Sequence, residues 1–313
     1  MSIQFHGIYD LYESANDAFR NGKVREAYQL FHEVLQLYED YDRDVPYEIT
    51  QLISIANDCN YKIGALKRKK GDVPKFIGFD LETTKLSPDG LFEHTEPLDV
   101  GISCAALSYG SEIKVWQGKP KLTQGECQDI VTELRLINQL NKNSRVVSWN
   151  GSGFDYRVLA EESGMFKECV ELALHHVDMM FLVLAHKGWL VSFKAALKGM
   201  DLKGKLTSVR LKDGSILKDM EGSLAPSLWE KGEYEAVVAY LKEDADQTRQ
   251  LAYAIADQNN LKWHSKNGKL HSLDTELLSV MECLKLPLPD LSWMSKPTVN
   301  RQAMLAWALK KSL

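Results

Sequence analysis

Long hydrophobic runs are missing from this 313-residue chain, and so is any excess of positive charge. No stretch approaches the roughly 18–20 apolar residues that a membrane-spanning helix needs, so no membrane association is expected. The opening residues, MSIQFHGIYDLYE, lack the basic start and apolar centre of a secretory signal. Cysteine is sparse: Cys59, Cys104, Cys127, Cys169 and Cys283 are spread too widely for a CxxC metal knuckle. An odd, scattered set reads as reduced thiols in a reducing compartment, and a cytoplasmic protein is expected. The net charge of −5 excludes a protein that coats nucleic acid through bulk basicity. It leaves room for an enzyme whose acidic groups gather at a metal site, where bound cations reverse the local sign. With 44% hydrophobic and 26% charged residues, the chain has the composition of a soluble globular protein. Its length suggests about two domains.

Residues 1–70 have helical character. Ala15, Ala18, Phe19 and Gly22 precede Glu26, Ala27, Leu30, Phe31 and Val34, the second group falling at helical spacing. Asn21-Gly22 is a stop signal between two helices. A third helix is expected after Pro46, carrying Ile49, Leu52, Ile53, Ala56 and Ile63. The A-x2-A-F-x2-G-x3-E-A-x3-F spacing resembles a tetratricopeptide-type hairpin, and two uses stay open: a module for a protein partner, or a helical cap. Lys67-Arg68-Lys69-Lys70, followed by Gly71 and Pro74, has the look of a solvated linker that also suits phosphates.

From Lys75 the pattern changes. KFIGFDLETT, PLDVGISCAALSYG and EIKVWQG have the alternation of strands, with turns near Gly90 and Gly110-Ser111. Thr123 is placed to cap a helix running to about Leu140. RVVSWN is a further strand, a helix follows from about Phe154, and a short strand surrounds His176-Val177-Asp178. A meander followed by strands alternating with helices predicts a mixed α/β sheet over 75–313. The last part, about 257–313, contains a hairpin centred on Asn267-Gly268 and a helix from about Asn300. It is expected to wrap back on the preceding domain.

Three short segments carry chemistry. Asp80-Leu81-Glu82 ends an apolar strand, and because strand side chains alternate, both carboxylates face one way while Leu81 packs opposite. Two adjacent carboxylates repel unless a cation lies between them, and hard divalent ions prefer oxygen ligands. Asn150-Gly151-Ser152-Gly153-Phe154-Asp155 follows the strand RVVSW; its glycines permit a sharp turn, and Asp155 falls in the first turn of a helix, where the dipole favours an acid. Tyr240-Leu241-Lys242-Glu243-Asp244 belongs to a helix from about Glu233 to Ala256, and residues four apart place Tyr240 and Asp244 on one face. Asp246 points elsewhere. Each segment alone has an ordinary reading: an exposed acidic pair, a capped turn, an acidic surface helix.

Taken together, FDLETT, NGSGFD and YLKED, in that order and in strand, turn and helix settings, resemble the DEDD exonuclease superfamily on the RNase H-like (DnaQ-like) fold. The residue four before Asp244 is Tyr240, and a histidine variant would need His at 239, which is Ala239; the resemblance is thus to the DEDDy branch. APSLWEKGEYEAVVAYLKEDADQT, the hairpin after Trp263 and LPLPDLSWM extend the likeness to bacterial and phage-related predicted 3′–5′ exonucleases. Ala245 stands where that group more usually has Val. The resemblance implies an α/β RNase H-like domain beside the N-terminal helical module. It also implies two divalent cations, Mg²⁺ or Mn²⁺, held by Asp80, Glu82, Asp155 and Asp244. Asp80 would bridge both ions, Glu82 and Asp244 would help hold the one that activates water, Asp155 would act through the second ion, and Tyr240 would orient or help deprotonate the water. The implied activity removes nucleoside 5′-monophosphates from nucleic acid 3′ ends, DNA with RNA not excluded, in a repair or phage-defence setting.

Leu81, Thr83, Asn150, Phe154 and Arg157 are the candidate substrate contacts. Lys187, Lys194 and Lys198 join Arg157 as candidates for a phosphate groove or a solvated face. Trp149 and Phe154 suit stacking on a base, though Trp149 also suits a core. Asp178 either supports the cluster or simply ends a strand, and His175 and His176 read as structural. Trp229, Trp293 and Trp307 read as core or docking anchors. Two other functions stay in view: an adaptor that grips nucleic-acid ends and recruits a partner through residues 1–70, and a phosphodiesterase for short or signalling nucleotides.

Overall fold

The computed structural model describes residues 3–20, 24–39, 55, 58–59, 75–87, 98–140, 144–294 and 299–309. It divides into two compact units, Met1–Val73 with Gln139–Lys142 and Pro74–Asn138 with Asn143–Leu313. In the first, α1 (Ile3–Arg20) and α2 (Val24–Glu39) pack on each other. Phe5, Ile8, Ala15 and Ala18 of α1 are buried, as are Ala27, Phe31 and Val34 of α2, at the three- and four-residue spacing of a helix face. Tyr12 donates to Asp58 (2.7 Å). The expected third helix lies outside the described residues except for Ile55, Asp58 and Cys59, which are helical; the Asn21-Gly22 stop, the basic linker and the turn near Gly90 lie outside them altogether.

The second unit is built on a mixed sheet flanked by helices. Strands β1 (Phe76–Thr83), β2 (Ile102–Ser108) and β3 (Ile113–Gln117) form an antiparallel meander. Helix α3 (Gln124–Leu140) follows; Thr123 and Glu126 cap its start reciprocally, at 2.7 Å from the Thr123 N–H and 3.3 Å from the Glu126 N–H. Strand β4 (Arg145–Ser148) then runs parallel to β1, and α4 (Asp155–Ser163) with α5 (Phe166–His175) leads to β5 (Val177–Asp178), parallel to β4. The order is β3-β2-β1-β4-β5, which puts β1 at the centre.

Beyond the sheet come α6 (Met179–Lys187) and α7 (Phe193–Gly199), then a hairpin of β6 (Ser208–Arg210) and β7 (Ile216–Lys218). This hairpin is not among the elements expected from the sequence, although Asp213-Gly214 carries the turn chemistry, with Gly214 at φ +86°. After α8 (Ala225–Glu230) runs the long helix α9 (Tyr234–Gln258), free of internal Gly and Pro and ended by Asn259 in the left-handed region. The expected second hairpin forms from β8 (Asn260–His264) and β9 (Leu270–Asp274), followed by α10 (Val280–Leu284), α11 (Arg301–Met304) and α12 (Ala306–Leu309). This last part does return to the domain: Arg301 donates to the Leu286 and Pro287 carbonyls (2.7 and 2.6 Å) and to that of Ala185. Met304 and Leu305 are buried in a core shared with α6, α7 and β8. All five cysteines are buried thiols, and no described helix is long and apolar enough to cross a membrane.

Helix α9 crosses β1, β2 and β4, and its buried stripe joins two cores. Ala236, Val237, Tyr240, Leu241 and Ala245 pack with Cys104, Ala106 and Trp229, while Leu251, Ala252 and Ile255 pack with Phe76, Val147 and the α6 side. The crossing is close because β1 has Gly78 beneath it. A β-carbon there would collide with the Ala245 carbonyl oxygen and lie 3.0 Å from its carbon and 3.2 Å from the Arg249 β-carbon. Backbone cannot yield as a side-chain tip can. Gly78→Ala is expected to destabilise the second unit by about 1–3 kcal/mol through overpacking, lowering its thermal midpoint by roughly 2–4 °C per kcal/mol. A variant that melts like the wild type would contradict the close approach.

Candidate active site

The carboxylates of the first segment sit where alternation puts them. Along β1, Phe76 to Phe79 are buried, then Asp80 and Glu82 reach a partly open face while Leu81 and Thr83 turn into the core. Asp80 pairs in register with Ala106 and Glu82 with Cys104; the register slips between Glu82 and Thr83. That bulge ends regular pairing just past the acids, a device common beside functional sites.

The second segment is held to the first by one direct contact: the Leu81 N–H donates to Asp155 Oδ1 (3.2 Å). Asp155 opens α4 and is buried. The turn before it is fixed from below by Asp178, which accepts from the Asn150 N–H (3.0 Å), the Ser152 N–H (2.9 Å) and the Ser152 hydroxyl (2.6 Å). The same carboxylate caps α6 through the Met180 and Phe181 N–H groups, both at 3.0 Å. Asp178 thus ends its strand and also supports the turn that carries Asp155. Asn150 takes φ 74°, and Gly151 approaches so closely that a β-carbon would strike the Ser148 side chain.

His176 completes this support. Its Nδ1 lies 2.9 Å from the Ala173 carbonyl, which only accepts, so Nδ1 carries the hydrogen. Nε2 then accepts from the Ser148 hydroxyl (2.8 Å), whose oxygen accepts from the Gly151 N–H (3.1 Å). Burial pushes His176 down to about 4, so the ring is neutral near pH 7 and acts as structure. Trp307 donates to the Ser152 carbonyl (2.8 Å), pinning the last helix to the same turn.

The third segment lies on the buried stripe of α9. Asp244, 4% exposed, occupies a position in that stripe where an apolar residue would ordinarily sit, one turn from Tyr240. Asp246 faces away, accepting from Ser108 (2.7 Å) and pairing with Arg249 (3.0 Å). A lysine that no sequence motif marks completes the cluster. Lys205 Nζ donates to Asp244 Oδ2 and to the Tyr240 hydroxyl (2.9 Å), and lies over the rings of Phe193 and Tyr240 at 5.3 and 5.1 Å.

Electrostatics shows the four acids acting on one another. Burial raises Asp80 well above the carboxylate range, and Asp155, Asp244 and Glu82 raise it further. Burial and then Asp244 push Glu82 up to about 8, against the pull of Lys205. Burial lifts Asp155 to about 7, with Asp178 adding to it and backbone N–H groups opposing it. Asp244 is also raised by burial despite its lysine. Burial disfavours the charge on Lys205, but Asp244 and Tyr240 outweigh it and hold the ammonium above its ordinary range. The Lys205 ammonium acts on three of these carboxyl groups, Asp80, Glu82 and Asp244, and Asp244 Oδ1 is buried with no hydrogen-bond partner.

Such a donor set, all oxygen and short of positive charge, suits hard divalent cations. Among the described residues, no group of three or more His, Cys, Asp or Glu side chains is preassembled to hold a metal ion. The acids nevertheless share one electrostatic neighbourhood. The orphaned oxygen of Asp244 and the mutual repulsion of the acids fit a cation-binding role. No protein-family model and no curated protein matches the chain.

Of the candidate substrate contacts, Asn150 and Phe154 stay half-exposed at the turn. The other three do not line the carboxylate face. Leu81 and Thr83 are buried because they alternate with Asp80 and Glu82, and Thr83 donates to the Lys85 carbonyl (2.7 Å). Arg157 is 4% exposed and pairs with Glu161 (3.6 Å), one turn along α4. Trp149 is half-buried against Phe193 (5.4 Å) and Trp229 is buried, but Trp293, read as a core or docking anchor, is 66% exposed.

The raised Glu82 carboxyl has a direct consequence for stability. The folded chain keeps its proton to about pH 8, the unfolded chain only to about 4.5, so the fold is favoured below the lower value and loses stability as pH rises through the higher. Glu82→Gln removes that loss. In EDTA above pH 8 its midpoint is expected to exceed that of the wild type by about 2–4 °C, the effect of ~1 kcal/mol at this size, with the gap closing near pH 4.5. A midpoint below the wild type at high pH would refute the repulsion.

Proposed function

We propose that this chain is a metal-dependent phosphodiester hydrolase. More particularly, we read it as a 3′–5′ exonuclease of the DEDDy type on an RNase H-like domain, releasing nucleoside 5′-monophosphates from nucleic acid. The observation that carries the reading is the gathering of Asp80, Glu82, Asp155 and Asp244, from three segments far apart in sequence, into one mutually repelling cluster beside Tyr240. The meander continued by two crossover strands supports the fold assignment.

Asp80, Glu82, Asp155 and Asp244 are the residues that would hold the divalent ions, which supply Lewis-acid stabilisation of phosphate charge and a more acidic bound water. The chain's own groups do the rest. Tyr240 Oη accepts from Lys205, which leaves its own hydrogen to be donated, toward Asp244 or a water. Burial and Asp244 raise this phenol above its ordinary range. It stays protonated at neutral pH, which suits orienting a water better than deprotonating it. Lys205 keeps positive charge beside Asp244, where a negatively charged phosphodiester needs it. Asn150 and Phe154, half-exposed on a turn held by Asp178, are the residues we assign to the terminal nucleotide.

The test is degradation of 5′-labelled single-stranded DNA, duplex DNA and RNA with Mn²⁺, Mg²⁺ or EDTA. Wild type should produce a metal-dependent ladder from the 3′ end. Asp80→Ala and Asp244→Ala should lower the rate by at least ~10²-fold with the fold retained, the scale of losing a main electrostatic group. Tyr240→Phe should slow turnover while changing metal affinity little. Near-wild-type activity in Asp80→Ala would overturn the site assignment, and an unchanged rate in Tyr240→Phe would overturn the role of the hydroxyl.

A further inference from the structure

A second feature takes no part in the carboxylate cluster. Between the start of α7, the β8–β9 hairpin and the segment before residue 295 is an open cleft of about 840 Å³. Its walls are aromatic and basic. Trp189 and Trp293 meet edge to face, 5.6 Å apart at 84°, and Trp293 leaves 66% of its surface exposed. Trp263, itself buried, stacks on His271 at 5.7 Å and 9° to form the opposite wall. Lys194, Lys198 and Lys266 are exposed around the opening, and among the described residues no carboxylate lines it. In a chain of net charge −5, this is a local reversal of sign.

The cleft is also joined to the catalytic candidates. Phe193, between the cleft residues Ser192 and Lys194, turns inward to lie under Lys205 (5.3 Å) and against Trp149 (5.4 Å). Trp149 is followed directly by Asn150 of the turn that positions Asp155. One short segment therefore has one side chain at the acidic cluster and its neighbours in the cleft.

We propose that this cleft binds a single-stranded stretch of nucleic acid, the part of the substrate upstream of its 3′ end. The proposal rests on the exonuclease reading for its substrate class. The exposed Trp293 ring, with Trp189 partly exposed beside it, offers a face on which unpaired bases stack, and lysines without competing carboxylates offer charge to the backbone phosphates; together these make a sequence-tolerant platform for single strands. A duplex keeps its bases stacked on each other and cannot use the rings.

The test is fluorescence anisotropy of a labelled oligothymidylate of roughly a dozen nucleotides, a length within the span of such platforms, in EDTA so that nothing is cleaved. Binding should weaken as salt rises, should exceed binding of a matching duplex, and should fall about tenfold in Trp293→Ala and in the Lys194→Glu/Lys198→Glu double variant. These side chains are exposed, and an unchanged thermal midpoint verifies folding. Folded variants that bind like the wild type, a duplex bound equally well, or a wild type that binds no oligonucleotide would each overturn the proposal. Hydrolysis of thymidine 5′-(p-nitrophenyl phosphate) with Mn²⁺ reads the carboxylate site separately. A wild type that binds the oligonucleotide through the cleft but leaves this ester intact contradicts the nuclease reading and leaves the cleft standing; one that cleaves the ester without binding the oligonucleotide contradicts the cleft alone.

Discussion

Everything at the candidate site depends on how near α9 can lie to β1. Asp80 and Glu82 are fixed to the central strand, and Asp244 is fixed to a helix that crosses it. Only where the strand has no side chain, at Gly78, can the helix backbone descend far enough for the two sets of acids to feel one another. The contact also settles the rest of the helix. With Ala245 over Gly78, the stripe from Val237 to Ile255 falls on apolar neighbours at both ends, so two cores hold the crossing in place.

That crossing gathers acids at the expense of electrostatic ease. Four carboxyl groups are brought together in partial burial, three of them raised by one another or by Asp178, and Lys205 offsets only part of the repulsion. The support around the cluster is, by contrast, tied together by named hydrogen bonds, although Asn150 Oδ1 and the Tyr156 hydroxyl stay buried without a partner. Asp178 accepts from both the Asn150–Ser152 turn and the start of α6, and the His176–Ser148–Gly151 chain uses each donor and acceptor once. A frustrated centre on a hydrogen-bonded frame is what a site built to receive cations requires.

Much of this was legible in the sequence because periodicity transmits it. Alternation along KFIGFDLETT placed Asp80 and Glu82 together and Leu81 opposite, and a four-residue spacing placed Tyr240 with Asp244. By the same alternation Thr83 belongs in the core, which weighs against its use as a substrate contact. What remained hidden depends on partners distant in sequence. Lys205 lies in a Gly-containing segment that resembles a solvated loop, and nothing local reveals that it reaches Asp244. The several roles of Asp178 emerge only once Asn150 and Ser152 fold over it. The β6–β7 hairpin is a different case: Asp213-Gly214 marks it, but its strands are too short for alternation to show.

The central claim is that these carboxyl groups form a cation site held partly protonated until metal arrives. Calorimetric titration of Mn²⁺ at pH 7, in two buffers of different ionisation enthalpy, tests it most directly. The account predicts binding accompanied by release of protons to the buffer, tightening as pH rises toward 8 and lost in Asp80→Asn, because the ligands must give up protons to bind. Binding without proton release, or binding that survives unchanged in Asp80→Asn, would contradict it.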